Sequence, residues 1–422
     1  MPITPDPSNS PAAVSLKKTD VVEFEYTFRF ITPMFGGGVE SEGPQKPFDP
    51  QTPIRIPSIR GQLRFWWRAC NPTKVASISE LRKAEEQVWG STEIPSRVTI
   101  RLAQPASKPQ VLEVFTKDHR LKPEHKSLAY GIFPLKPPTG SRAEPGVLWR
   151  FHKNDTFTLI IRCQKDSHPG VKEALQAWSL FGGLGGRTRR GFGAIESATK
   201  RPWQDPKQFL RDLVKRPQIP EVPSLCGAEI RFAKDKHDKS DIAWASALSK
   251  LQRFRQGKGL GRNPGTQKNR PGRSRWPEPE QIRQLSGARA PKHRKLAPHI
   301  SKFPRAVFGL PIIFHFHPGA PNDPGSQGDP KDSTLTPKDL TRFASPLVLR
   351  PVRDESGGYR PMALRLASTL PPTTLTLSGE SQNSKKFDVP VKWELSPTEA
   401  SVIQPLDHCT DPLKAFLTLF SK

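Results

Sequence analysis

The sequence predicts an α+β protein built from two ferredoxin-like (RRM-like, βαββαβ) domains with long irregular insertions. Residues 20–200 show the order strand, helix, strands, helix, strand, which two split βαβ units would produce. A Pro-rich linker at 201–224 precedes residues 225–422, which begin again with a strand and a helix and are predicted to be a diverged copy. The 422 residues suffice for two cores, and 47 prolines imply many irregular connections.

The first strand is predicted at 21–31, where apolar and polar side chains alternate. A helix is predicted to follow, from its capping residue Ser58 to Cys70, with one apolar stripe that faces the core. That stripe consists of Ile59, Leu63, Trp66 and Cys70. Ser77 and Glu80 have the spacing of a capping box and predict a second helix.

The remaining elements are predicted from shorter apolar runs. In the first domain they are strands at 98–102, 111–115, 156–162 and 192–197 and a helix at 171–181, which Gly182 is expected to end in a left-handed conformation. In the second domain they are strands at 228–232, 307–317 and 346–352, a helix at 242–254 with Ile242 facing inward, and a C-terminal helix that starts at Asp411 and Pro412.

The net charge narrows the class of partner. The chain carries 66 Lys and Arg against 40 Asp and Glu, a formal net charge of +26, which favours a polyanion. Nucleic acid is the leading interpretation, and an anionic membrane surface is the alternative. No apolar run approaches the ~20 residues of a spanning helix. Residues 1–19 are predicted to be a disordered lead-in without the apolar region of a signal peptide.

A strongly basic insertion is predicted within the second domain, at about 255–305. Residues 250–305 hold 16 Lys and Arg against two Glu, and Gly and Pro interrupt them throughout. Two interpretations stay open. One is a solvated low-complexity loop, and the other is a surface that adds salt-sensitive, sequence-independent RNA affinity.

The four cysteines are not spaced as metal ligands. Cys70, Cys163, Cys226 and Cys409 contain no CxxC pair. The sequence therefore predicts neither a zinc knuckle nor a disulfide framework, and no cofactor is expected. Reduced thiols that act as small buried apolar groups fit a cytoplasmic protein.

The strongest functional signal is the segment 182–193, which reads GGLGGRTRRGFG. Its glycines are expected to let the backbone approach a ligand and to leave N–H groups free for anions. Its arginines supply planar cations that match phosphate, and its phenylalanine offers a stacking face for a base. The residues predicted to bind RNA are Gly182, Gly183, Gly185, Gly186, Arg187, Arg189, Arg190 and Phe192. The competing interpretation is a tight turn with solvated arginines, whereas P-loop and dinucleotide-binding spacings do not fit.

A second basic and aromatic pattern lies in the predicted helix after Ser58. Arg60, Arg64 and Trp67 fall on a face different from the apolar stripe, and Arg68 follows them. This face is expected to bind a phosphate backbone and to stack a base. The competing interpretation is a core helix whose arginines are solvated or ion-paired.

Side chains with catalytic or metal-binding chemistry are few and scattered. His315 and His317 share one side of a predicted strand and would ligate a metal only with a third ligand that is not apparent. Three further histidines are acid–base candidates for RNA cleavage that lack an identifiable partner. They are His119, His125 and His152. A lone carboxylate, Asp49, is weak evidence for metal-assisted cleavage.

Six segments, taken in order along the chain, resemble the RAMP superfamily of CRISPR proteins. They are ITPMFGGG at 31–38, IPSIRGQLRFWWRA at 56–69, EEQVWGS at 85–91, GGLGGRTRRGFG at 182–193, PRAVFGLPI at 304–312 and RFASPLVLRP at 342–351. The Gly/Arg segment alone is similar to the broad superfamily. The RGQLRFWWR string is more specific and resembles the family of first-numbered subunits of the Cmr, or type III-B, RNA-guided effector complex.

This resemblance implies a protein of two ferredoxin-like domains that holds the 3′ part of the CRISPR guide RNA (crRNA) and helps capture single-stranded target RNA in antiviral defence. The implied partners are the backbone subunits and neighbouring RAMP subunits of the Cmr complex, and no membrane. The loop glycines and arginines, Arg60, and Arg64 or Arg68 would then contact RNA. The charged insertion at 255–295 departs from the family pattern.

Three functions are weighed on this basis. The leading hypothesis is a non-catalytic RNA-binding subunit. The first alternative is a metal-independent CRISPR RNA-processing endonuclease, although such enzymes typically carry the Gly-rich loop near the C-terminus rather than in mid-chain. The second alternative is a protein-binding scaffold subunit whose Arg-rich faces meet acidic protein surfaces.

Overall fold

The computed structural model describes most of the chain in nine segments. They are residues 20–36, 53–137, 145–198, 205–265, 272–287, 300–316, 330–367, 370–380 and 385–422. We call residues 20–198 the first half and residues 205–422 the second half. The predicted lead-in at 1–19, Asp49 and His317 lie outside the described residues. Helices and strands are mixed along both halves, so the fold is α+β, as predicted.

The first half begins and ends with strands. Its strands are β1 (Val21–Phe30), β2 (Met34–Phe35), β3 (Val98–Gln104), β4 (Gln110–Leu112), β5 (Leu148–Arg150), β6 (Thr156–Gln164) and β7 (Ile195–Ser197). Its α-helices are α1 (Ile56–Cys70), α2 (Ile78–Trp89), α3 (Ala129–Ile132) and α4 (His168–Phe181). Short 3₁₀-helices occupy Pro123–Leu128, Phe133–Leu135 and Thr188–Arg190. The elements predicted from the sequence are present, with small shifts at their ends.

One antiparallel sheet organises the first half, with the strand order β3-β6-β1-β7. β1 pairs with β6, where Phe28 lies opposite Phe157, and with β7, where Phe30 lies opposite Ile195. The alternation in β1 serves this arrangement, because Phe28 and Phe30 are buried in the core that α1 and α4 share. A smaller sheet has the order β2-β5-β4.

Helix α1 begins earlier than predicted. Ser58 is not its cap, because the helix starts at Ile56, after Arg55, which forms no side-chain capping bond. Pro57 occupies the first turn, where backbone N–H groups have no partner within the helix. Its missing N–H therefore removes no intrahelical hydrogen bond. The predicted apolar stripe is confirmed, since all four of its side chains are buried.

The second half contains two further sheets. Its strands are β8 (Ser224–Phe232), β9 (Ile312–Phe314), β10 (Ser333–Pro337), β11 (Leu347–Arg353), β12 (Tyr359–Ala367), β13 (Leu375–Glu380) and β14 (Lys386–Val391). Its α-helices are α5 (Pro206–Leu213), α6 (Ser240–Gln256), α7 (Glu278–Leu285), α8 (Pro397–Val402) and α9 (Pro412–Phe420), and 3₁₀-helices occupy Pro304–Phe308 and Gln404–Leu406. The sheets are antiparallel, with the orders β11-β12-β8 and β14-β13-β10-β9, and both α6 and α9 contact β12. None of the described helices is both long and apolar enough to cross a bilayer.

Several expectations for the second half are corrected. α5 lies inside the predicted linker, and Ile242 is exposed because the inward positions of α6 are taken by its neighbours Ala243 and Trp244. The strand predicted at 307–317 is reduced to β9, preceded by a 3₁₀-helix. The described parts of the basic insertion are folded, since Trp276 and Ile282 are fully buried.

Two predicted helix starts are confirmed. At α2, Ser77 Oγ accepts a hydrogen bond from Glu80 N, and the Glu80 carboxylate accepts one from Ser77 N, which completes the capping box. At α9, one carboxylate oxygen of Asp411 accepts hydrogen bonds from Leu413 N (2.9 Å) and Lys414 N (3.2 Å). Local side-chain chemistry therefore sets both starts.

The main apolar core includes side chains from both halves. Phe28, Phe157 and Trp178 of the first half belong to the same buried cluster as Val348 of β11 and Met362 of β12. The apolar core therefore crosses the predicted domain boundary.

A buried arginine of the second half is bonded to the backbone of the first. Arg350 on β11 is 2% exposed. Its Nη1 donates to Gly182 O (2.8 Å) and its Nη2 donates to Ile195 O (2.6 Å). Burial lowers the pKa of Arg350 to about 10, and nearby Glu196 acts in the opposite direction. The guanidinium is therefore still charged at neutral pH, and carbonyl dipoles replace its water.

Glu196 on β7 adds an ion-pair network beside this contact. Its carboxylate accepts hydrogen bonds from Arg29 Nε (2.6 Å) of β1 and from Arg353 Nη2 (2.8 Å) of β11. Tyr359 Oη of β12 also donates to it (3.2 Å), and burial raises the pKa of Tyr359 to about 12. The network therefore joins strands of both halves through one carboxylate.

We expect Arg350→Met to destabilise the protein by about 3 kcal/mol, because it leaves the buried carbonyls of Gly182 and Ile195 without their donor. Urea unfolding of the full chain measures the change. The matched control is Arg101→Met, whose exposed ion pair with Glu23 (3.4 Å) contributes little, so its effect should stay within about 0.5 kcal/mol. Equal midpoints for the two variants would contradict the role assigned to Arg350.

Candidate functional site

The Gly/Arg loop, residues 182–193, connects α4 to β7 and folds back on the first half. Its backbone forms hydrogen bonds with the segment that follows β1: Gly186 N donates to Phe35 O (2.6 Å) and Gly193 N donates to Pro33 O (2.8 Å). Leu184 N donates to Gly193 O (2.9 Å), which closes the loop on itself. The expectation that the glycine N–H groups are free for anions does not hold for these donors, because protein carbonyls already accept from them.

The loop glycines allow close approach to other parts of this chain. A Cβ at Gly193, whose φ is +57°, would lie 2.0 Å from Leu184 O. A Cβ at Gly182 would lie 2.6 Å from Trp66 Nε1 and from Trp178 Cδ1. A Cβ at any of the other glycines predicted to contact RNA would also lie too close to neighbouring atoms of this chain. These glycines are Gly183, Gly185 and Gly186. The structure therefore gives these glycines a packing role.

Gly182 does not end α4 in the left-handed conformation that the sequence predicts. Its φ of −100° and ψ of −156° are extended, and its N–H donates to Trp178 O (2.8 Å). The indole of Trp178 donates from Nε1 to Gly183 O (3.0 Å). The close packing of Trp66 and Trp178 explains the glycine here, and no left-handed cap is needed.

Two arginines of the loop bind the second half. Arg189 Nη1 donates to Ser345 O, and the Arg189 guanidinium lies over the Phe65 ring. Arg190 donates to Leu347 O (3.0 Å) from Nη1 and to Phe308 O (3.2 Å) from Nη2. Burial lowers the pKa of Arg190 to about 10. In both arginines, some of the N–H donors that could bind an RNA phosphate already donate to backbone carbonyls.

Arg187 differs from its neighbours in the loop. The residue is exposed, and no hydrogen bond or ion pair joins its guanidinium to another described residue. Its guanidinium carbon lies 5.9 Å from the centre of the Phe35 ring. Partial burial of the guanidinium lowers the pKa of Arg187. Among the three loop arginines, Arg187 is therefore the one that can bind an external anion without breaking a hydrogen bond in the fold.

Phe192 is a core residue. It is fully buried, with its ring 4.7 Å from the Trp244 ring and 5.4 Å from the Phe35 ring. The expectation that Phe192 stacks on a base is therefore corrected, because no face of the ring is accessible. The signal that suggested stacking was its place among arginines, which does not report burial.

The basic and aromatic face predicted in α1 is used within the fold. Trp67 is 1% exposed and cannot stack on a base, which corrects the sequence expectation. Arg60 donates to Val98 O (2.7 Å) and to Ser96 Oγ (2.8 Å). Burial lowers its pKa, and nearby Arg64 adds to that effect.

Arg64 and Arg68 share one carboxylate. Arg64 Nε (2.7 Å) and Arg68 Nη1 (2.5 Å) both donate to the same oxygen of Glu85 on α2. The three side chains line a cleft of about 790 Å³ between α1, α2 and residues 221–223. Arg64 and Arg68 are therefore ion-paired, as the competing interpretation expected. Their contact with RNA remains a prediction.

The candidate catalytic side chains that lie within the described residues are not assembled into a recognisable constellation. His315 Nδ1 lies 2.7 Å from Asp332 Oδ2, and His152 Nε2 lies 3.2 Å from the side-chain amide of Gln110. Burial lowers the pKa of His125. Within the described ranges, no three His, Cys, Asp or Glu side chains converge as a metal site. His119 has a positive φ of 59° and is a turn residue.

The structure also reveals side chains that the sequence analysis missed. Arg255, near the end of α6, donates from Nη1 to Tyr130 Oη (2.6 Å) of α3, so it joins the two halves. Phe133 follows α3 and is 59% exposed, and no other aromatic side chain is exposed in the part of the chain that is described. A single residue in an apolar stretch such as AYGIFPL gives no sequence signal of exposure.

The Gly/Arg loop lies within a segment of the first half that matches a known family. Residues 27–196 match the family model described as the RAMP superfamily. The matched segment includes most of β1, both helices that pack in the core with it, and the complete Gly/Arg loop. The first half of this chain is therefore similar to the RAMP superfamily over most of its length.

Known proteins give a narrower comparison. The CRISPR system Cmr subunit Cmr1-1 of Pyrococcus furiosus is 30% identical over 148 residues, which cover 34% of this chain and 40% of that relative. The match thus spans less than half of the relative's length. The apo crystal structure of Cmr1 from Pyrococcus furiosus has a TM-score of 0.50 at 17% identity, covering 84% of this chain and 90% of that chain. The two proteins therefore share a fold.

A chain in the cryo-EM structure of the type III-B Cmr-beta bound to cognate target RNA is more distantly similar. Its TM-score is 0.41 at 12% identity, and the alignment covers 92% of this chain and 99% of that chain. A similarity this low has no bearing on fold or function.

We expect Gly193→Ala to destabilise the protein by about 3 kcal/mol, because a Cβ would overlap Leu184 O and the backbone is left-handed there. Gly61→Ala is the matched control, since nothing lies within 4 Å of a Cβ at that exposed position of α1. Within a helix this change should stabilise by roughly 0.5–1 kcal/mol. Thermal and urea unfolding compare the two. A tolerated Gly193→Ala would show that the loop does not need its tight closure.

Proposed function

We propose that this protein is a non-catalytic RNA-binding subunit of a type III-B (Cmr) CRISPR effector complex. It holds the 3′ part of the guide RNA and helps capture single-stranded target RNA in antiviral defence. The observation that carries the proposal is the exposed Arg187, whose guanidinium has no hydrogen bond or ion pair to any described residue. It lies on the Gly/Arg loop of a half that matches the RAMP superfamily, in a chain with a net charge of +26.

Topology supports a finer assignment of the fold. Between residues 21 and 197 the order of elements and the sheet order β3-β6-β1-β7 are those of a ferredoxin-like βαββαβ unit. In the second half, β8, α6, β11, β12 and α9 follow in the same order, and their sheet order β11-β12-β8 matches three of the four strands. We assign the second half as a diverged ferredoxin-like domain, into which β9, β10, β13 and β14 are inserted.

The relatives support the assignment to a complex. The curated relative is named as a Cmr subunit, and the solved structure that shares the fold is Cmr1. Other subunits of such a complex are accordingly the proposed protein partners. The sequence match covers only 40% of the relative, so these partners belong to the proposal.

The charge distribution supports RNA as the ligand. An RNA strand presents one phosphate per nucleotide, and cations that neutralise these phosphates release condensed counterions, so affinity falls as salt rises. Arg187 offers a planar guanidinium to a phosphate. Contacts of this kind position the RNA backbone and read little sequence. Binding that does not depend on base sequence suits a subunit that must hold guide RNAs of different sequence.

We expect Arg187→Gln to weaken the binding of a fluorescein-labelled single-stranded RNA by about tenfold at low salt. The slope of log Kd against log salt should fall by about 0.7, the value for one phosphate of a single strand. Fluorescence anisotropy over a salt series measures both. Changing all three loop arginines would confuse the result, because Arg189 and Arg190 hold the second half.

Arg82→Gln is the control for this measurement. The Arg82 side chain is 80% exposed on α2 and pairs only loosely with Glu86 (3.3 Å), so its removal should leave the affinity and the slope nearly unchanged. Arg187→Gln with the affinity of the wild type would refute an RNA contact at the loop.

The absence of nuclease activity is tested directly. Repeat-containing RNA incubated with the purified full chain should remain intact, both with a divalent cation and with chelator, because the side chains of His119, His125 and His152 form no hydrogen bond to a carboxylate among the described residues. Gel analysis of end-labelled RNA reads the outcome. Specific cleavage that disappears when His119, His125 or His152 is changed would replace the proposal with the endonuclease alternative.

A further inference from the structure

A cleft at the boundary of the two halves has no part in the RNA contact proposed for Arg187. It lies between α1, α2 and residues 221–223, which precede β8, and its volume is about 790 Å³. We call it the α1–α2 cleft. Ligand sites in proteins are concave and measure roughly 300–1,000 Å³, so this cleft is large enough to receive part of another molecule. Its third wall belongs to the second half, so the cleft is complete only when both halves are folded together.

One face of α2 forms a wall of the α1–α2 cleft. The side chains of this face repeat at helical spacing and are Ile78, Leu81, Arg82, Glu85, Glu86 and Trp89. Ile78 is 53% exposed, although it is large and apolar. Ile94, Pro95 and Pro223 line the same cleft. The cleft therefore presents apolar surface on which an apolar side chain of another molecule can pack.

Two arginines of α1 line the opposite wall, one helical turn apart. Arg64 Nε and Arg68 Nη1 donate to the same oxygen of Glu85, at 2.7 and 2.5 Å, so the two guanidinium groups lie side by side. One carboxylate against two guanidinium groups leaves a positive charge uncompensated. Both η nitrogens of Arg64, and Nε and Nη2 of Arg68, donate to no described residue. These planar donors match the two oxygens of a carboxylate.

The other charges of the α1–α2 cleft disfavour a strand of nucleic acid. Arg82 pairs with Glu86 (3.3 Å), and Glu221 is exposed on the third wall, so the lining holds as many glutamates as arginines. An RNA strand carries a phosphate at each nucleotide, and the phosphates beside a bound one would approach Glu86 and Glu221. Trp89 lines the cleft but is 2% exposed, so it offers no ring face to a base. A ligand with one negative charge and an apolar neighbour fits better.

We propose that the α1–α2 cleft is the docking site for a segment of another subunit that carries an Asp or Glu side chain beside an apolar one. The carboxylate bridges Arg64 and Arg68 through their remaining donors, and the apolar side chain packs on Ile78. One carboxylate neutralises the charge that Glu85 leaves uncompensated. The inference rests on the part of the proposed function that places this chain in a complex, and it is independent of RNA binding at the Gly/Arg loop.

Site-specific photo-crosslinking in the assembled complex identifies the occupant of the cleft. The full chain, with Ile78 replaced by p-benzoylphenylalanine, is isolated from its native host together with its bound subunits and is irradiated. The expected product joins position 78 to a segment of another subunit that contains Asp or Glu beside an apolar residue. A product with RNA, or no product with a subunit, overturns the inference.

The matched control for the cross-link is Lys83. This residue is also exposed on α2 but does not line the cleft. The same photoreactive group at position 83 should not react with the segment that position 78 reaches. Equal products from the two positions would show that the segment lies over α2 in general and not in the cleft.

A neutralised cleft tests the two arginines. Arg64→Gln and Arg68→Gln are combined with Glu85→Gln, because the buried carboxylate of Glu85 would otherwise lose its counter-charges. The yield of the cross-link at position 78 should fall about tenfold, since a charge-assisted contact with two guanidinium groups is lost. Thermal unfolding checks that the variant is folded. An undiminished yield in the folded variant contradicts a carboxylate contact with these arginines.

The cross-linked segment, prepared as a fluorescein-labelled peptide, gives the affinity by fluorescence anisotropy with the full chain. Changing its Asp or Glu to the amide should weaken binding to the wild type about tenfold and should matter little for the neutralised variant, because both changes remove one contact. Ile78→Ser provides the second variant, because it alters an exposed position and should leave the unfolding temperature unchanged. It should weaken peptide binding several-fold. Wild-type affinity in Ile78→Ser refutes the apolar part of the site.

RNA binding separates this inference from the proposed function. The neutralised variant should bind labelled single-stranded RNA with nearly the affinity and salt slope of the wild type, as expected for Arg82→Gln. A clearly lowered slope would assign Arg64 and Arg68 to RNA and would overturn the inference while leaving the proposed function intact. A wild-type chain that binds no RNA but still cross-links to a subunit through the cleft would refute the RNA-binding role alone.

Discussion

The position of the second half beside the Gly/Arg loop depends on one buried guanidinium, that of Arg350. Removing such a group from water is unfavourable by several kcal/mol, and the loss is offset only where acceptors are fixed around it. The acceptors here are Gly182 O and Ile195 O, which flank the Gly/Arg loop at its two ends. In this structure the closed loop places both carbonyl oxygens within hydrogen-bonding distance of the guanidinium. The position of β11, the closure of the loop and the outward direction of Arg187 are therefore coupled.

Arginine serves two opposite purposes in this loop. Arg189 and Arg190 donate to carbonyl groups of the second half, whereas Arg187 stays unbonded among the described residues. The sequence RTRR does not distinguish them, because all three carry the same charge and donors. The distinction comes from the left-handed backbone at Arg187, with φ of 55°, followed by one 3₁₀ turn that directs the next residues inward. Charge content alone therefore overestimates how much of the loop is available to RNA.

Local patterns predicted much of the fold. The alternation in β1, the stripe of α1 and the caps of α2 and α9 depend on neighbours within a few residues, so the sequence displays them directly. Burial of Trp67 and Phe192 depends on Trp244 and other residues that are distant in sequence. The pairing of Arg64 and Arg68 with Glu85 likewise required the position of α2 relative to α1. Sequence patterns selected the candidate residues by type and spacing, but they could not show which of them face solvent.

The shared apolar core has a consequence for how the chain is made. Synthesis proceeds from the N-terminus, so the first half leaves the ribosome long before β11 and β12 exist. Until then, the part of its core that later packs against Val348 and Met362 lacks its cover, and the carbonyl groups of Gly182 and Ile195 lack Arg350. The first half is thus an incomplete folding unit during translation. Rare codons placed at the Pro-rich segment between the halves would prolong the stage at which this surface is open to aggregation. A chain cut at that segment would leave the same surface uncovered if the halves separated.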